Sequence, residues 1–236
     1  MDTYTENCMI CGEQLIYFES AQKLNCYICG KEFDSNNTCE DGHFVCDACH
    51  SEQGLLSIAK QALSNDSKNP IEIAIEMMQD SSINMHGPEH HYLVSASLLV
   101  AYKNAGGDID FENSLQKTLE RAKNVPGGIC GMWGSCGAGI ASGIFISVIT
   151  GATPVSEKEW SLANEMTSKS LDIISKNGGP RCCKRNSFLA ISKATAFVKD
   201  IFDITLEMPE KVICDFYPRN IQCRKADCLY YPTVKK

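Results

Sequence analysis

Fourteen cysteines set the terms for this chain of 236 residues, because they fall in two equal sets parted by eighty residues that contain none. The first set runs from Cys8 to Cys49 and the second from Cys130 to Cys228. In the first, Cys8-x2-Cys11, Cys26-x2-Cys29, Cys39-x3-His43 and Cys46-x2-Cys49 make four ligand pairs, the eight ligands that two closed tetrahedral zinc sites require. A two-residue spacing lets both sulfurs of a pair turn toward one ion, and Gly12 and Gly30 supply the permissive backbone for that turn. With so few core-forming side chains in residues 1–50, metal binding would supply much of the folding energy there. Spacing leaves the pairing open. Sequential sites would join Cys8, Cys11, Cys26 and Cys29, an interleaved brace would join the first pair with the third, and His50 is an alternative to His43. Closed four-ligand sites of this kind are structural rather than catalytic.

The segment Met1 to Glu6 is polar and acidic where an export signal needs a basic end followed by an apolar run. The longest apolar stretch, Ala138 to Thr150, is too short and too rich in Gly and Ser to cross a bilayer. The expectation is a cytoplasmic protein with no membrane contact, whose thiols are metal ligands or reactive groups rather than disulfides. Residues 1–50 are acidic, with only Lys23 and Lys31 as cations, and the rest is close to neutral. That balance is a poor match to a phosphate backbone, so no nucleic-acid partner is expected.

Beyond Cys49 the signals are helical. Glu52 to Leu63 is periodic, Asn69 and Pro70 cap and open a helix over 71–79, and Pro88 opens a run to Asn104 closed by Gly106 and Gly107. Phe111 to Lys123 is amphipathic, Gly134 to Thr150 is apolar and small, and Ser156 with Glu159 forms a capping box for a helix ending at Gly178. Pro180 starts another, to about Ile204. The fold class read from this is mainly α: a two-zinc head at 1–50, a helical domain of about six or seven helices at 51–210, and an irregular cysteine-containing tail at 211–236.

The second cysteine set sits where backbone chemistry is permissive. Cys130 and Cys136 lie in a glycine-dense loop running into the apolar helix, and Cys182 and Cys183 follow Gly178-Gly179-Pro180 among Arg181, Lys184 and Arg185. Helix starts favour thiolates and anionic groups, so Cys130, Cys136 and one of the adjacent pair Cys182 and Cys183, with Cys182 favoured, are read as a cysteine-based catalytic centre. Cys183, Cys214, Cys223 and Cys228 are read as cofactor ligands, for a 4Fe-4S cluster or a third zinc. The segment Met85-His86-Gly87-Pro88-Glu89-His90-His91 holds three of the five histidines. His86, Glu89 and His90 are assigned to proton transfer there.

Four motifs, Met85 to His91, Gly127 to Ala138, Thr150 to Pro154 and Gly178 to Arg185, resemble an uncharacterised, cysteine-rich prokaryotic family of anaerobic bacteria and methanogenic archaea, known only as a domain of unknown function. The resemblance implies no established reaction. It implies neighbours or fusions similar to S-adenosylmethionine-dependent methyltransferases, and so a methyltransferase-like partner protein. The expected function is a metal- or thiol-dependent enzyme, or a subunit of one, in anaerobic thiol, sulfur or one-carbon metabolism, acting on a small-molecule or protein thiol. The rival is a zinc-stabilised binding or regulatory protein without catalysis.

Overall fold

The structure, a computed structural model, describes residues 7–232. A long hairpin comes first, strand β1 (Leu15–Asn25) paired antiparallel with β2 (Glu32–Cys39). Eight α-helices follow: α1 (Asp47–Ser64), α2 (Pro70–Gln79), α3 (Glu89–Asn104), α4 (Phe111–Lys123), α5 (Ile129–Met132), α6 (Gly137–Ile149), α7 (Lys158–Asn177) and α8 (Cys183–Phe202). The mainly α expectation holds, and the single turn α5 takes the count past seven. Sequence reading did not anticipate the hairpin. Among the described residues no helix is long and apolar enough to cross a membrane.

Helix α3 is the axis of the bundle. Fourteen of its sixteen residues are buried, because α1, α2, α4, α6 and α8 all pack on it. The small residues of α6 are explained by two close approaches. Ser95 on α3 donates to the Ala141 carbonyl at 2.8 Å, and a Cβ on Gly139 or Gly143 would run into Leu171 or Thr167 of α7. Helices meeting this closely exclude even a methyl group.

Local chemistry sets most boundaries. The Asn69 side chain accepts from the backbone N–H of Ile71 and Glu72 at the start of α2, with Pro70 in the first helical position. The capping box of α7 does not form: Ser156 Oγ instead accepts from the Thr153 N–H, and Glu157 takes the cap position without a side-chain bond. Helix α8 also starts later than the proline suggested, with Cys182 as its N-cap.

The tail returns over the bundle as turns, with 3₁₀ segments at Tyr217–Arg219 and Lys225–Asp227. Tyr230 packs edge-on against Phe188 and Phe216 lies buried over α8, so the tail seals the helical core.

Candidate metal centres and a thiol-lined cleft

The head resolves the pairing question. Cys8, Cys11, Cys39 and His43 form one tetrad, and Cys26, Cys29, Cys46 and Cys49 form the other. The first knuckle therefore joins the third and the second joins the fourth. The hairpin produces this: its turn is the second knuckle, and its open end sets Leu15 opposite Cys39, bringing the first knuckle to the third. Gly12 and Gly30 donate to the carbonyls of Cys8 and Cys26, both at 2.8 Å and both with positive φ, which closes each knuckle. Backbone N–H groups of Ile10, His43 and Cys46 point at the sulfurs of Cys8, Cys39 and Cys26. Burial opposes ionisation of Cys26, but donation from the Cys46 N–H and its neighbours outweighs it and brings the thiol to about 6. His50 belongs to neither tetrad; it lines a cavity between the head, the connection from α2 to α3 and Arg219.

Helix α1 carries Cys49 in its first turn and Ile58 and Ala62 in the bundle core, so one continuous element joins the head with its two tetrads to the helical region.

The second cysteine set divides in two. Cys182, Cys214, Cys223 and Cys228 line one small cavity of about 20 Å³ under the tail, walled by Met85, Phe216 and Tyr230. Their sulfurs are not gathered at single-ion spacing as in the head. Burial pushes Cys214 up to about 11, with the neighbouring thiols Cys182, Cys228 and Cys223 adding to it. Cys182 Sγ accepts from the Arg185 N–H at 3.4 Å and from Asn220 Nδ2 at 3.6 Å, and Cys223 Sγ accepts from the Lys225 N–H at 3.3 Å. Cys130, Cys136 and Cys183 lie elsewhere, in a cleft of about 270 Å³ lined also by His86, His90, His91 and Arg181. Cys182 touches both spaces. It was assigned to the catalytic set, yet it shares the tail cysteines' cavity, whereas Cys183, assigned to the cofactor set, faces the cleft.

Hydrogen bonds bind the two spaces together. The Cys183 N–H donates to His86 Nδ1 at 3.5 Å, His86 Nε2 donates to Asn220 Oδ1 at 3.2 Å, and the Asn220 amide donates to Cys182 Sγ. So bonded, His86 links the Cys183 backbone to Asn220 as an orienting group. Arg185 does not sit free among the thiols. Its guanidinium holds the carbonyls of Gly178 and Pro180 and the Asn186 side chain, turning Asn186 Nδ2 toward Cys136 Sγ at 3.3 Å.

Beneath the cleft lies a dry polar network. Lys184 is fully buried, with Nζ donating to the Asn84 carbonyl and to His90 Nε2, both at 3.1 Å, and lying 5.0 Å over the Phe216 ring. Burial and the Arg219 charge bring its ammonium down to about 8, although Glu89 opposes them. His90 donates from Nδ1 to the Gly87 carbonyl, and burial holds it well below the usual imidazole range. Glu89 does not reach the cleft: it is 1% exposed and accepts the Asn84 N–H at 2.9 Å, and burial raises its carboxyl. Gly87 makes room for it, since a Cβ there would lie 2.1 Å from Glu89 Oε2.

Sequence reasoning left His91, Lys184, Asn186 and Asn220 out of the site. His91 stood in the quoted motif, and Asn186 follows Cys182 by one helical turn, a spacing that signals a shared face. Asn220 had no signal, because only the tail's path brings it there.

No match was found among curated proteins or solved structures. The family of unknown function DUF5714 matches residues 58–231, from the middle of α1 through the tail, and the chain belongs to that family.

Proposed function

We propose that the chain is an enzyme, or the subunit of one, of thiol, sulfur or one-carbon chemistry, with an iron-sulfur centre beside a thiol-lined substrate cleft. The observation that carries this is the convergence of Cys182, Cys214, Cys223 and Cys228 on one cavity, next to a second space lined by three more cysteines. Two zinc ions occupy the head in this reading. A Zn–S bond of about 2.3 Å separates sulfurs of a tetrahedron by about 3.8 Å. The Cys11–Cys39 and Cys29–Cys46 sulfur separations are 3.6 and 3.9 Å, which suits that ion. The tail thiols stand wider than this, which favours a multinuclear cluster over a third zinc.

The donor set fits: four thiols, N–H donors on Cys182 and Cys223, and apolar walls are what such clusters use to tune their potential. The enclosed space is small, so loading requires the tail thiols to move outward, which a segment of turns permits. A bound cluster would supply electron transfer or a Lewis-acid iron. The chain's own contribution is to orient Cys182 through Asn220 and His86 and to keep water from the network under Phe216.

The test is anaerobic purification with zinc, iron and acid-labile sulfide counted per chain. The expected result is two zincs with stoichiometric iron and sulfide, with Cys214→Ser and Cys228→Ser losing iron and retaining zinc. Zinc alone in the anaerobically prepared protein, with no iron or sulfide, would sink the cluster and favour a zinc-stabilised binding protein.

A further inference from the structure

The cleft contains one imidazole whose placement the cluster reading does not use. His91 is 8% exposed and donates from Nδ1 to the Val125 carbonyl at 3.1 Å, which fixes the proton on that nitrogen. Nε2 is then an acceptor, and it has no partner among the described residues. It lies directly over the start of α6: a Cβ on Gly137 would stand 2.0 Å from it. Cys136, the residue before, is the N-cap of that helix, lines the same cleft, and receives the Asn186 amide on its sulfur. Burial lowers His91 below the usual imidazole range despite the Val125 bond, so it stands neutral at physiological pH and able to take a proton.

Two further features define what such a thiol would meet. Arg181 lines the cleft, is exposed and makes no hydrogen bond or ion pair among the described residues, so its guanidinium is open to a carboxylate. Cys130 lines the cleft as a second thiol.

We propose that Cys136 is a nucleophilic thiol with His91 as its general base, and that the cleft takes a low-molecular-weight disulfide bearing a carboxylate held by Arg181. This deepens the enzyme reading above by naming the reacting residues and substrate class of its cleft. His91 Nε2 takes the Cys136 proton, and the thiolate attacks one substrate sulfur. The bond from Cys136 to that sulfur forms while the substrate's own S–S bond breaks. The departing thiolate carries away the electron pair of the broken bond and receives the proton from His91. No outside oxidant or reductant enters this exchange. The Asn186 amide and the free N–H groups opening α6 stabilise the thiolate before attack.

The test uses the whole anaerobically purified protein at pH 7 with two disulfide reagents, the dicarboxylate 5,5′-dithiobis(2-nitrobenzoate) and the neutral 2,2′-dithiodipyridine. Thiol release gives the rate, and peptide mass spectrometry gives the cysteine modified first. Cys136 is expected to react first among the cysteines of residues 130–228. His91→Gln, which keeps an acceptor and a donor but cannot shuttle a proton, should slow it by about 100-fold or more. Added imidazole should restore the rate in His91→Ala, which a merely structural loss would not allow. Arg181→Gln should abolish the advantage of the dicarboxylate over the neutral reagent. First modification elsewhere, or equal rates in wild type and His91→Gln, overturns the pair. A dicarboxylate advantage that persists in Arg181→Gln overturns the anionic substrate. The order of modification in the wild type tests the proposal even where a variant fails to fold. Iron and sulfide counted on the same samples separate its failure from that of the cluster, because a metal-free protein with fast, His91-dependent Cys136 keeps this proposal and loses the other.

Discussion

His90 shows how far a residue's role can depart from its residue type. In the sequence it is one of three histidines near a carboxylate, an apparent acid-base group. In the fold both ring nitrogens are engaged, with the Gly87 carbonyl and the Lys184 ammonium, and the ring is buried. Protonation would lose the Lys184 bond and place two cations face to face. The folded state therefore binds fewer protons than the unfolded chain once the pH drops below about 6.5, and stability falls with pH from there. Glu89, raised by burial, works in the opposite direction above its ordinary value of 4.5, and the thiols and imidazole of the head tetrads would release a bound metal in acid. A comparison with His90→Gln separates His90 from both. The stability advantage of wild type over the variant should shrink by about 1 kcal/mol per pH unit between pH 6.5 and 5.5 in chemical denaturation. A constant difference would mean His90 protonates freely in the folded protein. Gly137 makes the complementary case. Its place in the glycine-dense loop was legible, but the reason was not: His91 Nε2 occupies the space a methyl group would need. Gly137→Ala should destabilise by about 1–3 kcal/mol, measured the same way, because the ring must leave its Val125 bond. A neutral result would show that the ring has room to turn aside.

Elements were legible where their signal was local. Asn69-Pro70 marks the start of α2, and α4 begins and ends where its amphipathic run and flanking residues place it, because caps and periodicity act over one or two turns. The same logic failed at α7, where Ser156 has the spacing of a capping box but its hydroxyl serves the preceding turn at Thr153. The two caps make a matched test. Asn69→Ala should cost about 1 kcal/mol, since a buried side chain loses two backbone donors, while Ser156→Ala should stay within about 0.5 kcal/mol. Equal costs would show that Ser156 caps α7 in solution. The hairpin of the head was hidden for a different reason. Leu15–Asn25 is largely exposed on both faces, so no apolar alternation advertises it, and its pairing rests on the knuckle at its turn and the ligands at its open end. Ligand spacing alone revealed that there are two candidate tetrads, but their pairing needed the hairpin. The split of Cys182 from Cys183 follows from the helix boundary between them, since Cys182 is the extended N-cap and Cys183 the first helical residue. Which of the two would face the tail depended on a tail path with no regular signal.

For the whole molecule, the question is how much of its stability the metals hold. The head has a core of three buried residues, Cys26, Phe44 and Cys46, and two of those are ligands. The helical region has a continuous apolar core that reaches from Ile58 in α1 to Tyr230 in the tail. Burial on the second scale sustains a fold without a metal, and burial on the first does not. Helix α1 belongs to both, with Cys49 at one end and Ala62 at the other, so it is the element along which loss of the head would spread. Past its first turns α1 packs on α3, with Ile58 fully buried, and fraying should stop before that residue. If the head tetrads hold zinc as proposed, removing it with a chelator under reducing conditions should therefore abolish amide-exchange protection across residues 8–50 and leave α3 protected. If the proposed cluster is present, its iron should stay, because none of the four tail-cavity cysteines belongs to either head tetrad. Mass-spectrometric hydrogen exchange with parallel metal analysis reads both quantities. If α3 loses protection in step with the head, the bundle depends on zinc and the two parts fold as one cooperative unit. If α3 holds while iron is lost, the cavity between the head, Asn84 and Arg219 transmits the change to the tail, and α1 is not its only route.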